Sequence, residues 1–410
     1  MKTIWNKRSQ VAQFGGANQG ATWANEIQRL AGMSLDEVKM AAEANPSVSF
    51  FFYCRDGIYL DNYDKGEFSP GDAVLFSGAP WYGSAPQCDT YVVERIPRNI
   101  LWMSEMPQIT GGSANPNALR VNGTDDRDLK NLLDSVYTHV IVCSFHFRNN
   151  TDFTPLYNGF SAAEYRAPWR DFQFLKQGEN YKTLMISLGG WNNECWKHMQ
   201  GKEDEAARKL AEFVDAHGFD GIDLNFEGDG YGNNHDAHRA AMGKCAESLR
   251  DHLGDRIITI SPIFGDEAAK QLGEIKNARE VISWVNVQLY YYQNYNNTTG
   301  GHHNSPMDYS DAVTKTGFPA SRVVAGFALN GAQPENDVTD AGNTQRAQMN
   351  AAELANCEGY VRAMVRNNSD FGGVFLWRYL KTMQPQQPDG KMLRWDSAMK
   401  AAMQPQGQIV

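Results

Sequence analysis

The chain has 410 residues, 42% of them hydrophobic, enough for one large core with a smaller one beside it. A formal charge of -10 provides no basic face for a phosphate backbone, which excludes a nucleic-acid partner and favours an uncharged ligand. No window reaches the ~18 consecutive apolar residues of a membrane helix, so no membrane partner is expected either.

The opening stretch, MKTIWNKRSQVAQFGGANQG, has basic residues with no apolar run behind them and does not read as a secretory signal peptide. Residues 1–97 then offer a helix in SLDEVKMAAEAN, with Ser34 as N-cap, and strands in SVSFFFY and AVLFSG. Turn residues fill DNYDKGEFSPGD and GAPWYGSAPQCD. This predicts a small α+β domain, an accessory or carbohydrate-binding module in which Tyr59, Tyr63, Trp81 and Tyr82 form either a sugar-stacking face or part of the core. The boundary is expected at Pro97-Arg98-Asn99.

From residue 98 to 410 short apolar runs alternate with amphipathic helical stretches. The runs are NILWMS (99–104), THVIVCSFHF (138–147), KTLMISLGGW (182–191), GIDLNFE (221–227), RIITISPIF (256–264), WVNVQLYYY (284–292), RVVAGFAL (322–329) and GGVFLW (372–377). Between them fall DRDLKNLLDSVY, EDEAARKLAEFVDAHG, HDAHRAAMGKCAESLRDHLG, GDEAAKQLGEIKNAREVIS and NAAELANCEGYVRAMVRNN. Eight such strands imply a parallel sheet buried on both faces, and the count predicts a closed (β/α)8 TIM barrel rather than an open doubly wound sheet.

Six cysteines (Cys54, Cys88, Cys143, Cys195, Cys245, Cys357) lie far apart without a CxxC pair, so they read as reduced thiols rather than a zinc site or disulfide framework. His302 and His303 sit in a Gly/Asn-rich segment that reads as a solvated tip. No metal and no cofactor are expected.

The stretch FDGIDLNFEGDG (219–230) raises the chemical question. Alternation places Asp223, Asn225 and Glu227 on one face of the strand and Ile222, Leu224 and Phe226 on the other. In a barrel the first row points inward at the carboxyl end, where active sites form. Stacked acids repel and lose hydration, a cost that general acid catalysis by a carboxyl of raised pKa would justify; the plainer alternative is a solvated strand end whose acids cap a neighbouring helix.

This segment, Asp220-Gly221-Ile222-Asp223-Leu224-Asn225-Phe226-Glu227, resembles the fourth-strand motif Asp-Gly-x-Asp-x-Asp-x-Glu of the family-eighteen glycoside hydrolases, the chitinase family. Upstream, Ser187-Leu188-Gly189-Gly190-Trp191 is similar to the family's third-strand Ser-x-Gly-Gly. Downstream, Val287-Gln288-Leu289-Tyr290 and Gly372-Gly373-Val374-Phe375-Leu376-Trp377 resemble its sixth- and eighth-strand motifs, in the required order. The resemblance spans about residues 98–400 and implies substrate-assisted retaining hydrolysis, in which the substrate's own 2-acetamido oxygen attacks the anomeric carbon. Glu227 would be the proton donor, with Asp223 behind it in the row, residue 225 would hold the acetamido N–H, Tyr290 its carbonyl, and Trp377 would lie under the sugar ring. Gln288, Asp220, Gly190 and Trp191, carried in the same motifs, complete the expected substrate-binding set.

The departure is Asn225, where the family has aspartate. An amide offers a dipole in place of a charge, so attenuated activity is expected. The resemblance implies cleavage of β-1,4 bonds in chitin or chito-oligosaccharides; the alternatives are an endo-β-N-acetylglucosaminidase acting on other glycans and a non-catalytic chitin-binding lectin. Such a substrate is met outside the cell, so an extracellular place is expected for the protein, alone or assembled into a larger secreted complex, whereas the opening stretch carries no export signal.

Overall fold

Strand-period alternation at the amino end and near-continuous apolar runs thereafter produce two kinds of sheet. The computed structural model describes residues 5–9, 26–45, 48, 50–55, 59–61, 66–77, 88–93, 97–103, 132, 135–157, 173–176, 181–190, 194–227, 235–289, 306–328, 351–379 and 395–404. Near the amino end, β1 (Trp5–Ser9), β2 (Glu26–Leu30), β3 (Phe50–Cys54), β6 (Ala73–Phe76) and β7 (Cys88–Val93) form an antiparallel sheet in the order β1-β7-β3-β6-β2, while β4 (Tyr59–Asp61) and β5 (Gly66–Phe68) pair separately.

Helix α1 (Leu35–Ala44) starts at Ser34, whose hydroxyl accepts from Glu37 N while the Glu37 carboxylate accepts from Ser34 N at 2.8 Å. Its Val38 and Ala42 pack on Phe51, Leu75 and Tyr91 of the sheet. The opposite parity, Phe50, Phe52, Cys54, Val74 and Phe76, encloses Tyr181 with Phe68. Tyr181 precedes a strand of the second sheet. A second tie to that part of the chain is the ion pair of Lys39 with Asp255 at 2.8 Å.

All eight expected runs form strands: β8 (Arg98–Met103), β9 (His139–His146), β11 (Thr183–Gly190), β12 (Gly221–Phe226), β13 (Ile257–Ile260), β14 (Trp284–Val287), β15 (Val323–Ala328) and β16 (Gly373–Tyr379). They pair in parallel in chain order, β16 pairs with β8 and β8 with β9, so the sheet closes into the expected barrel. A two-residue strand, β10 (Leu156–Tyr157), adds antiparallel to β9.

Outside the barrel run α2 (Cys195–Met199), α3 (Glu203–Ala216), α4 (His235–Leu253), α5 (Phe264–Gly273), α6 (Ala278–Val281), α7 (Pro306–Thr316), α8 (Ala351–Asn367) and α9 (Trp395–Ala402). The expected single helix GDEAAKQLGEIKNAREVIS is two, α5 and α6, because Asn277 takes the left-handed conformation (φ 55) between them. No helix among the described residues is long and apolar enough to cross a membrane.

Alternation sorts the strand residues. Leu101, Val140, Ile186, Leu224, Ile260, Val287 and Phe327 face the helices in one large core. Ile100, Trp102, Ile141, Cys143, Met185, Ile257, Trp284, Val324 and Phe375 fill the barrel interior. At its lower end the Arg98 guanidinium lies 4.1 Å from the Trp284 ring centroid and donates to Ser321 O at 2.8 Å. The lumen is thereby plugged from below, and the polar cluster around Asp223 lies above this layer.

Candidate active site

The inward row of β12 climbs from this apolar plug: Asp223, then Asn225, then Glu227. Asp223 is sealed in, with 0% exposure. A buried carboxylate needs donors on all sides, and four neighbours supply them: Ser187 Oγ at 3.0 Å, Thr259 Oγ1 at 2.6 Å, Ser261 Oγ at 2.6 Å and Asn286 Nδ2 at 3.1 Å. Burial pushes its pKa above the usual aspartate value, against these hydrogen bonds.

Asn225 and Glu227 form the next tier with Gln288. Asn225 Nδ2 donates to Glu227 Oε1 at 2.8 Å. Gln288 Nε2 lies 3.1 Å from Asn225 Oδ1, 3.1 Å from Glu227 Oε1 and 2.8 Å from Ser261 O. One NH2 group has two hydrogens, so these three acceptors share them. Glu227 itself is half-buried, at the end of the strand. Its pKa is raised, first by burial and also by the Asp223 charge, while the hydrogen bonds from Gln288 and Asn225 act in the opposite direction. A carboxyl that holds its proton more tightly than an ordinary glutamate and lies at the open end of a barrel is equipped as a general acid.

The third-strand glycines let backbone come close to this tier. Gly189 and Gly190 both have φ near +105°, where side chains are disfavoured. A Cβ on Gly189 would fall 2.3 Å from Asn225 O, and one on Gly190 would fall 3.1 Å from Ser144 Oγ and 3.9 Å from Asn225 Nδ2. Backbone therefore lies directly beside residue 225.

Trp377, inward on β16, is half-buried and meets Trp102 edge-on with centroids 5.7 Å apart. It tops the apolar interior, and its partial exposure leaves surface for a ligand. Tyr290 and Trp191, like His302, His303, Tyr63, Trp81, Tyr82 and the Tyr59 side chain, lie outside the described residues.

Asp220 does not join the others. It precedes β12 at the amino end, about 23 Å along the strand from Glu227 at ~3.3 Å per residue. There its carboxylate pairs with Lys176 Nζ at 2.7 Å and accepts from Leu184 N at 2.8 Å. Its place is structural, tying the short helix Gln173–Lys176 to β11 and β12. Conversely, Thr259, Ser261 and Asn286 surround Asp223 without any sequence motif to mark them. The signal was available, since Thr259 and Ser261 alternate inward on β13 as Asn286 and Gln288 do on β14, but isolated hydroxyls and amides announce nothing until the barrel brings them to Asp223. Among the described residues no group of three His, Cys, Asp or Glu is arranged to hold a metal ion.

A family model described as glycosyl hydrolases family 18 matches residues 121–402. Among solved structures, the chain is similar to a Group IV chitinase of Ostrinia furnacalis, with a TM-score of 0.51 at 13% identity over 75% of this chain and 99% of that one. It is also similar to a chitinase from Bacteroides thetaiotaomicron, with a TM-score of 0.50 at 12% identity over 77% and 99%. A GH18 chitinase from Pseudoalteromonas aurantia is 18% identical over 74% and 99%, with a TM-score of 0.49. At these identities the first two likenesses carry the fold alone. No curated protein matches the sequence.

Proposed function

Because the chain belongs to glycosyl hydrolases family 18, we propose that it cleaves β-1,4 bonds next to N-acetylglucosamine, in chitin or chito-oligosaccharides, by substrate-assisted retaining catalysis. The carrying observation is the pairing of one available carboxyl with one sealed carboxyl. Two-carboxylate retaining enzymes need their carboxyls about 5–5.5 Å apart, and inverting ones need the second free to activate water. Asp223 is four strand residues behind Glu227, roughly 13 Å along the backbone, and its oxygens are taken by four donors. With Asp223 so occupied, the acetamido oxygen of the substrate, the nucleophile that membership of this family implies, fits the arrangement.

In this reading Glu227 gives its proton to the glycosidic oxygen and later takes one from water. Asn225 Oδ1 accepts the acetamido N–H, Tyr290 holds its carbonyl, and Trp377 stacks under the ring. An amide at position 225 gives less stabilisation to the cationic intermediate than a carboxylate, so turnover is slow. Residues 1–97 act as an accessory module. Their contacts to the barrel, at Tyr181 and Asp255, fall just before β11 and β13 at the amino end, which supports bracing rather than extension of the cleft.

The test is turnover of a chromogenic chito-oligosaccharide by the parent and by Glu227→Gln, with binding measured in parallel. Hydrolysis lost with binding kept supports the reading. Release of product from an N-glycan but not from chitin would replace the substrate, and a parent that binds without any turnover would make the chain a lectin.

A further inference from the structure

The lower side of the Asp223 pocket contains a relay that the proposed reaction does not use directly. Trp284 Nε1 donates to Asn286 Oδ1 at 2.9 Å, and Asn286 Nδ2 reaches Asp223 Oδ1 at 3.1 Å and Thr259 Oγ1 at 3.3 Å. All four residues are fully buried. An indole nitrogen is donor-only, so the atom facing it has to be the amide oxygen, and the Asn286 NH2 is thereby forced toward Asp223. Without the indole N–H, the amide is free to turn and present its oxygen to the carboxylate.

We propose that Trp284 is a positioning residue which, through Asn286, keeps Asp223 an anion beneath Glu227 and so helps the general acid hold its proton. The proposal rests on the reading of Glu227 as proton donor. Burial favours protonation of Asp223, and each donor opposes it. The Asp223 charge in turn raises Glu227. Among the described residues, the charged and titratable groups around the relay are Glu227, which follows Asp223 at the end of β12, Arg98 from β8 stacked on Trp284, His139 from β9 edge-on to Trp284 at 5.3 Å between centroids, and the Cys143 thiol in the same interior cluster. The other faces of Asp223 are the hydroxyls of Ser187, Thr259 and Ser261.

The experiment compares Trp284→Phe, which keeps a ring for Arg98 but removes the N–H, with Asn286→Ala and the double variant. In each single variant the alkaline limb of kcat/KM against pH should move down by about 0.5–1 unit, as expected on losing a nearby like charge, with a roughly three- to tenfold fall in kcat/KM on that limb. The double variant should move no further, because the indole acts only through the amide. An unmoved limb, or shifts that add, overturns the proposal. Should Trp284→Phe not fold, Trp284→Leu, which also removes the N–H, takes its place and is judged by the same shift. The Glu227 carboxyl is also followed directly by 13C NMR titration, which needs no turnover. Hydrolysis surviving Glu227→Gln would sink the acid assignment, while the carboxyl titration still tests the relay.

Discussion

Asn225 turns the donor side of its amide to Glu227, with Nδ2 2.8 Å from Oε1, while Gln288 occupies Asn225 Oδ1. A fixed N–H against the general acid favours its ionised form, which is the wrong form for the first step. Asn225→Asp replaces that donor with a carboxyl at hydrogen-bond distance from another carboxyl, and the pair has to share a proton. The expected outcome is a rise in kcat of roughly 10- to 100-fold, with the alkaline limb of the pH profile moving upward. Steady-state kinetics on a chito-oligosaccharide checks both; turnover unchanged or lower would remove position 225 from the acetamido-holding role.

Asp220 tests the separation of motif from site. Its partner Lys176 is 3% exposed at the side chain and also donates to Gly218 O, so Asp220→Ala takes the paired carboxylate away from a buried ammonium. Breaking a buried pair in this way costs about 3–5 kcal/mol, visible as a lower midpoint in urea unfolding. The fraction that folds should keep kcat/KM within about twofold, since the pair lies at the far end of β12. A large loss of kcat/KM at unchanged stability would return Asp220 to the substrate site.

The barrel was legible because its strands are buried on both faces and so read as nearly unbroken apolar runs. The two parities of β12 could be assigned from Asp223, Asn225 and Glu227 alone. What escaped was the meaning of short polar residues on neighbouring strands. Ser261 and Asn286 are 38 and 63 positions from Asp223, and only closure of the sheet makes them its donors. Asp220 shows the opposite effect: it is continuous with the motif in sequence, yet a strand carries its two ends to opposite faces of the barrel, so it lies apart from Glu227.

Gly189 offers a steric test of the same tier. A methyl there meets Asn225 O at 2.3 Å and Trp196 Cζ2 at 2.6 Å, at a φ of +106° that a side chain resists. Gly189→Ala should therefore destabilise by about 2–4 kcal/mol and push the β12 backbone at Asn225, lowering kcat more than binding of the intact substrate. Calorimetry with kinetics separates the effects. A variant as stable and active as the parent would contradict the close approach of β11 to β12.

Glu227 links catalysis to stability through pH. Its folded-state pKa lies above the ordinary glutamate value of 4.5, so the native state holds the proton more tightly than the unfolded chain. Below about pH 4.5 both states are protonated, and the charge costs the fold nothing. As pH rises past the unfolded value and then through the folded one, the native state comes to carry a half-buried carboxylate and loses stability. Glu227→Gln removes that charge and keeps an oxygen to accept from Asn225 and Gln288. The variant should match the parent in thermal midpoint at pH 4 and exceed it at pH 8, the gap opening across the interval between the two pKa values. Thermal melts of the two proteins at these pH values check it. A gap equal at both would mean that Glu227 carries no strain of ionisation, and with it the argument for a tuned general acid would fall.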